Sequence, residues 1–173
     1  MDVKLTPSKA EDFEACPLRF KLVHLDHLGP KERRPSPHLA LGTTIHECLY
    51  RFHEGGGYTR YSADQVEQLV GESWVAQGYS DAQEELAYRA EATRMARAYH
   101  QEYRDEPVQN LGNELFLQSK FRVGTSGLVV SGKIDRLSAW PDGHLEVVDY
   151  KTTNGPIPSP QKLAMTLGVV LYY

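Results

Sequence analysis

Three consecutive pieces decide the fold: Val130-Ser-Gly-Lys-Ile-Asp-Arg-Leu137, Trp140-Pro-Asp-Gly143 and His144-Leu-Glu-Val-Val-Asp-Tyr-Lys151. Two short runs rich in β-formers flank a Pro-Asp-Gly turn signal, which is the pattern of a β-hairpin. Each predicted strand carries a carboxylate, Asp135 on the first and Asp149 on the second. Side chains alternate faces along a strand, so Asp149 and Lys151 are expected to point the same way. Carboxylates that face one space repel unless a cation sits between them. Oxygen ligands of this kind suit Mg²⁺ or Mn²⁺, which keep several waters and bind phosphates through their open positions. A plain Asp–Lys pair on a strand end is the competing reading, common and nearly neutral in energy.

Upstream of the hairpin, residues 114–123 alternate, with Leu115, Leu117, Phe121 and Val123 on one face, and Gly124-Thr-Ser-Gly127 turns the chain into the strand over 128–137. The three strands predict an antiparallel meander over 111–151. Residues 1–110 read as mainly helical. Ser8-Lys-Ala-Glu11 fits a capping box for a short helix that carries Phe13 and Cys16 inward, and Pro17 suits the first turn of a second helix that buries Phe20 and Val23. Leu41, Ile45, Cys48, Leu49 and Phe52 recur at helical spacing, predicting a helix over 40–53 with His46 at the edge of its apolar face. A histidine so placed is ordinarily a satisfied structural residue. Ser62-Ala-Asp-Gln65 and Ser80-Asp-Ala-Gln83 predict two further helices, over 63–77 and 81–104. Residues 29–37, with three prolines and four charged residues, read as an exposed loop whose Lys31, Arg33 and Arg34 are available to phosphates or simply solvated. Residues 161–173 read as the start of a helix, and the apolar ending Gly-Val-Val-Leu-Tyr-Tyr predicts that the natural chain runs on.

At 173 residues the chain is expected to form a single α/β domain, a mixed sheet with helices over it. Its 40% apolar and 24% charged residues are ordinary for a globular protein, and no apolar run approaches the roughly 20 residues of a spanning helix. The start Met-Asp-Val-Lys-Leu-Thr-Pro-Ser lacks a secretory signal, so a cytoplasmic location is expected. Cys16 and Cys48 form neither a disulfide framework nor a CxxC zinc motif. The net charge of −4 runs against the basic excess of most nucleic-acid binders. The apolar ending leaves self-association and the oligomeric state open.

The order of motifs resembles the RecB-like branch of the PD-(D/E)XK nuclease superfamily along almost the whole chain. Cys16-Pro-Leu-Arg-Phe20 is similar to its CP-x-x-F element, and Gly42-Thr-Thr-Ile-His46 to its Gly-Thr-x-x-His helix. Gly132-Lys-Ile-Asp135 is similar to the motif of the first acidic ligand, and Asp149-Tyr-Lys-Thr152 to the DxK motif. The resemblance implies a restriction-endonuclease-like core and a metal-dependent nuclease. Its metal, Mg²⁺ or Mn²⁺, would be held by His46, Asp135, Asp149 and the backbone carbonyl of Tyr150. Asp135, Asp149 and Lys151 form the expected catalytic set, with Lys151 orienting the nucleophile and offsetting charge on the phosphate. Glu114 and Tyr172 are secondary candidates.

The implied substrate is DNA, single-stranded or cut from an end, by exonuclease rather than endonuclease action. DNA repair, recombination or CRISPR-type processing is the implied setting, with a helicase or CRISPR/repair protein as partner. The family's Gln-x-x-x-Tyr element is met by Tyr172 only with Gly168 at the glutamine position, whereas Gln161 there would set Met165 where tyrosine belongs. That departure keeps a second reading open, a catalytically degenerate module that binds nucleic acid or docks a helicase. Relatives with an iron–sulfur cluster use one N-terminal and three C-terminal cysteines. Cys16 matches the first, but none follows Cys48, so a cluster would need a cysteine-bearing extension.

Overall fold

The computed structural model describes residues 3–29 and 35–152. Lys31, Arg33, Arg34, Gln161, Gly168, Tyr172 and the helix expected over 161–173 lie outside the described residues. The chain divides into two compact units.

The first unit comprises, among the described residues, 3–29 and 116–134. It begins with a short strand that the sequence reading missed, β1 (Val3–Leu5), followed by α1 (Pro7–Ala15) and α2 (Pro17–Phe20), which runs into a π-helical turn over Lys21–Leu25. The cap of α1 is Thr6, whose hydroxyl accepts from the Lys9 amide at 3.3 Å, and not Ser8. Pro7 has no amide hydrogen and suits the first helical position, which moves the cap one residue before it. Ala10 is the buried residue of α1, while Phe13 is 51% exposed. Cys16 is also exposed, because it stands between the helices and its Sγ caps α2 by accepting from the Arg19 amide.

Two long strands, β2 (Gln109–Val123) and β3 (Ser126–Ala139), are joined at Gly124-Thr125. In the first unit β1 pairs parallel to β3, from Val3↔Leu128 to Leu5↔Val130. Residues 116–122 are exposed on both faces, so the alternation of Leu117 and Phe121 sorts nothing there.

The second unit comprises 35–115 and 135–152 of the described residues. It contains α3 (Pro37–Glu54), a 3₁₀ turn (Gly57–Thr59), α4 (Ala63–Glu72), α5 (Ala82–Glu102) and the short strand β4 (Leu145–Val148). Ser36 caps α3 with Pro37 at its first position. Leu41, Ile45, Cys48, Leu49 and Phe52 of α3 pack with Val66, Leu69 and Val70 of α4 and with Ala92 and Ala96 of α5. Burying each large apolar side chain in this cluster contributes roughly 1.5–3 kcal/mol. Ser62 and Gln65 form the expected capping box of α4. That helix stops at Glu72, earlier than the sequence pattern suggests, and the Val75 amide donates to the Thr44 hydroxyl at 3.1 Å in place of a helical carbonyl. The cap of α5 is Asp81, which accepts from the Glu84 amide, whereas Ser80 gives its hydroxyl and amide hydrogens to the Glu84 carboxylate.

β4 pairs antiparallel with β3, from Arg136↔Val148 to Ala139↔Leu145, closed by the predicted turn with Trp140 and His144 hydrogen bonded across it. One parallel and one antiparallel partner of β3, with five α-helices among the described residues, make the fold the mixed α/β class that the sequence pattern predicts. None of those helices is long and apolar enough to cross a membrane.

Candidate metal centre

The candidate centre lies within the second unit. His46 projects from the middle of α3, on the margin of the apolar face that anchors the helix. Gly42 sits one turn before it, and a Cβ there would lie 3.2 Å from the Thr152 hydroxyl. The absent side chain therefore lets the segment after β4 lie against α3. This gives the Gly-Thr-x-x-His spacing a physical purpose: the Tyr150 carbonyl reaches His46 Nε2, at 3.0 Å.

Asp135 comes from β3. Extending the β3–β4 register one step past Arg136↔Val148 sets Asp149 opposite Asp135. The strand has ended by then, and the Tyr150 amide donates to Asp135 Oδ2 at 2.6 Å. Asp135 Oδ1 lies 3.3 Å from His46 Nδ1. Tyr150 thus holds both side chains through its backbone, the histidine by its oxygen and the aspartate by its nitrogen.

Glu114 joins them by a route that no period-two reading contains. Its φ is 54°, a left-handed conformation uncommon for any residue but glycine, asparagine or aspartate. Such a residue breaks the alternation of a strand and re-aims a side chain. One ligand atom from each of His46, Glu114 and Asp135 lies within 4.8 Å of the others. Asp149 stands outside this group, ion-paired at 2.5 Å with Lys151, whose side chain is 70% exposed. Of the residues singled out from sequence, the fold therefore brings together His46, Asp135, Tyr150 and Glu114, and sets Asp149 with Lys151 as a neighbouring pair.

The electrostatics match a site made for a cation. The Asp135 carboxylate, as hydrogen-bond partner, raises the His46 pKa above its ordinary value against the opposing effect of burial. Burial pushes Asp135 up, but hydrogen bonds from His46 and the Tyr150 amide, with the nearby positive charges, outweigh it and hold the carboxyl below the usual range. The contact between His46 Nδ1 and Asp135 Oδ1 spans a place that a metal ion can take, because ligand histidines bind neutral and ligand carboxylates ionised. One imidazole, two carboxylates and a carbonyl oxygen are a mostly oxygen donor set, which fits a hard divalent cation.

Behind the cluster lies a polar network absent from the sequence reading. Arg136 is only 4% exposed, and its guanidinium donates from one nitrogen to the Tyr99 hydroxyl at 2.8 Å and to His53 Nε2 at 3.1 Å. Arginine can only donate, so His53 Nε2 is the acceptor and its ring is neutral. Burial and the Arg136 charge lower the His53 pKa to about 3. The available signal was a charged residue inside an apolar strand, next to Asp135.

The PD-(D/E)XK nuclease superfamily model matches residues 4–173, and the chain belongs to that superfamily of metal-dependent nucleases. A search of curated proteins finds no match to the chain.

Proposed function

We propose that the chain is a RecB-like nuclease that hydrolyses DNA phosphodiester bonds with Mg²⁺ or Mn²⁺, acting on single strands or ends as an exonuclease. The observation that carries this reading is the convergence of His46, Glu114 and Asp135 ligand atoms within 4.8 Å in a chain of a nuclease superfamily. These three side chains and the Tyr150 carbonyl would hold the ion. Asp149 is a further ligand, available when Lys151 turns to a substrate phosphate. When bound, the ion supplies Lewis acidity toward the phosphoryl oxygen and lowers the pKa of water.

The chain's own residues do the rest. In this reading Lys151, exposed and ion-paired with Asp149, meets the scissile phosphate, orients the attacking water and offsets the charge that develops on the phosphoryl oxygens. Tyr150 keeps His46 and Asp135 in register. A cytoplasmic role in repair, recombination or CRISPR-type processing, beside a helicase partner, belongs to the same reading.

A second reading is a nuclease fold retained for nucleic-acid binding or helicase docking; the glycine at the glutamine position of the Gln-x-x-x-Tyr element favours it, and the net charge of −4 suits docking to a protein more than binding nucleic acid. Incubating end-labelled single-stranded DNA with wild type, Asp149→Ala and Lys151→Ala in Mn²⁺ separates the two. The nuclease shortens the label in wild type and loses at least ~10²-fold in each variant. Wild type that binds the DNA and leaves it intact across divalent metals refutes the enzyme reading.

A further inference from the structure

Tyr150 lies past the end of β4, so no strand ladder fixes the backbone that both His46 and Asp135 depend on. Its side chain is what reaches back into the protein. The ring packs against the helical core, edge-on to Tyr99 with centroids 5.7 Å apart and edge-on to His46 at 5.9 Å. Its hydroxyl lies 3.3 Å from the Tyr99 hydroxyl, which itself accepts from Arg136 at 2.8 Å. Burial raises both tyrosine pKa values, so both remain neutral hydroxyls able to donate and accept.

Arg136 is a costly residue for this place. Its side chain is buried and its Nε has no hydrogen-bond partner among the described residues. The Glu146 carboxylate is its ion-pair partner, at 3.8 Å, and Glu146 Oε2 has no hydrogen bond among the described residues. An apolar residue of the same volume would commonly serve stability as well or better than a buried charge so incompletely matched. The guanidinium instead orients the Tyr99 hydroxyl: because it only donates, it takes up an acceptor position of that oxygen and leaves the Tyr99 proton for His53 or Tyr150. The chain of contacts then runs from Arg136 to Tyr99, to the Tyr150 side chain, and through the Tyr150 backbone to Asp135 and His46.

We propose that Arg136, acting through Tyr99, is a positioning residue for the candidate metal centre: the pair holds Tyr150 so that its carbonyl and amide set the places of His46 and Asp135. This rests on the metal-dependent reading above. Residues that orient ligands in this way typically change metal affinity 10–100-fold when lost.

Tyr99→Phe is the direct test, since it keeps the ring and removes the hydroxyl. Mn²⁺ binding by calorimetry should weaken about 10-fold relative to wild type. In the metal-free protein the Tyr150 amide should exchange about 10-fold faster by NMR, while the Cys48 and Leu49 amides of α3 keep their wild-type rates. Tyr150→Phe should give the same two effects, and it carries the test if Tyr99→Phe fails to fold. The double variant should bind Mn²⁺ no more weakly than the weaker single one. Wild-type Mn²⁺ affinity and wild-type Tyr150 exchange in Tyr99→Phe overturn the proposal, as does equal acceleration of all amides, which marks a role in stability alone. If wild type itself takes up no Mn²⁺, the metal-dependent reading falls and takes this one with it.

Discussion

Acidification from pH 7 to pH 5 should destabilise the protein through His53. In the folded protein burial and the Arg136 charge hold this imidazole neutral, with a pKa lowered from 6.5 to about 3. In the unfolded chain it titrates normally. Between these two values the unfolded state binds more protons, so stability falls as pH falls. At pH 5 the unfolded histidine is almost fully charged and the folded one almost fully neutral, which costs about 2 kcal/mol. The figure barely moves if the folded pKa lies one unit higher. His46 works in the opposite direction, since its folded pKa is raised: its stabilising contribution is fully present below pH 6.5 and is lost as pH rises through the folded value.

Comparison with His53→Gln subtracts that opposing effect, because His46 is present in both proteins. Glutamine keeps an oxygen that accepts from Arg136 and does not titrate. Urea unfolding followed by tryptophan fluorescence, at pH 7 and pH 5, should show wild type losing about 2 kcal/mol more than His53→Gln. Equal losses, within roughly 0.5 kcal/mol, would refute the neutral, buried His53 and with it the assignment of Nε2 as the Arg136 acceptor.

Mn²⁺ at 100 times its Kd should stabilise wild type by about 2.7 kcal/mol in the same assay, an effect reversed by a chelator and absent in Asp135→Asn. Glu114→Asn should leave the folded protein as stable as wild type or more so, since asparagine tolerates the left-handed φ of 54°, while Mn²⁺ affinity by calorimetry falls at least ~10-fold. Phe52→Ala, at the centre of the helical core with 1% exposure, should cost about 3–5 kcal/mol in urea unfolding. Gly78→Ala should destabilise measurably in thermal unfolding, because a Cβ at that φ of 101° would stand 2.7 Å from the Ser36 amide nitrogen at the start of α3.

Local chemistry makes much of this architecture legible in the sequence. The apolar stripe of α3, the Ser62–Gln65 box and the Pro-Asp-Gly turn each act over a few residues, and each appears close to its expected place. The same short-range grammar singled out Asp135, Asp149 and Lys151 as candidates, while His46 and Tyr150 entered through the resemblance to RecB-like nucleases. It erred where a neighbouring residue competed, as when Pro7 moved the α1 cap to Thr6 or Cys16 turned from core to cap.

The composition of the cluster belongs to contacts made at a distance. His46 and Tyr150 meet across 104 positions, through a gap that Gly42 leaves for Thr152. Glu114 enters because one left-handed residue breaks the strand period, and Asp149, just past the end of β4, pairs with Lys151 and not with the cluster. The pairing of Arg136 with Tyr99 likewise joins a strand to a helix 37 positions away. Periodicity and capping encode how each segment buries or ends itself, since those energies lie between near neighbours. Which carboxylates face one histidine depends on backbone paths through space, and those are set when distant segments pack together.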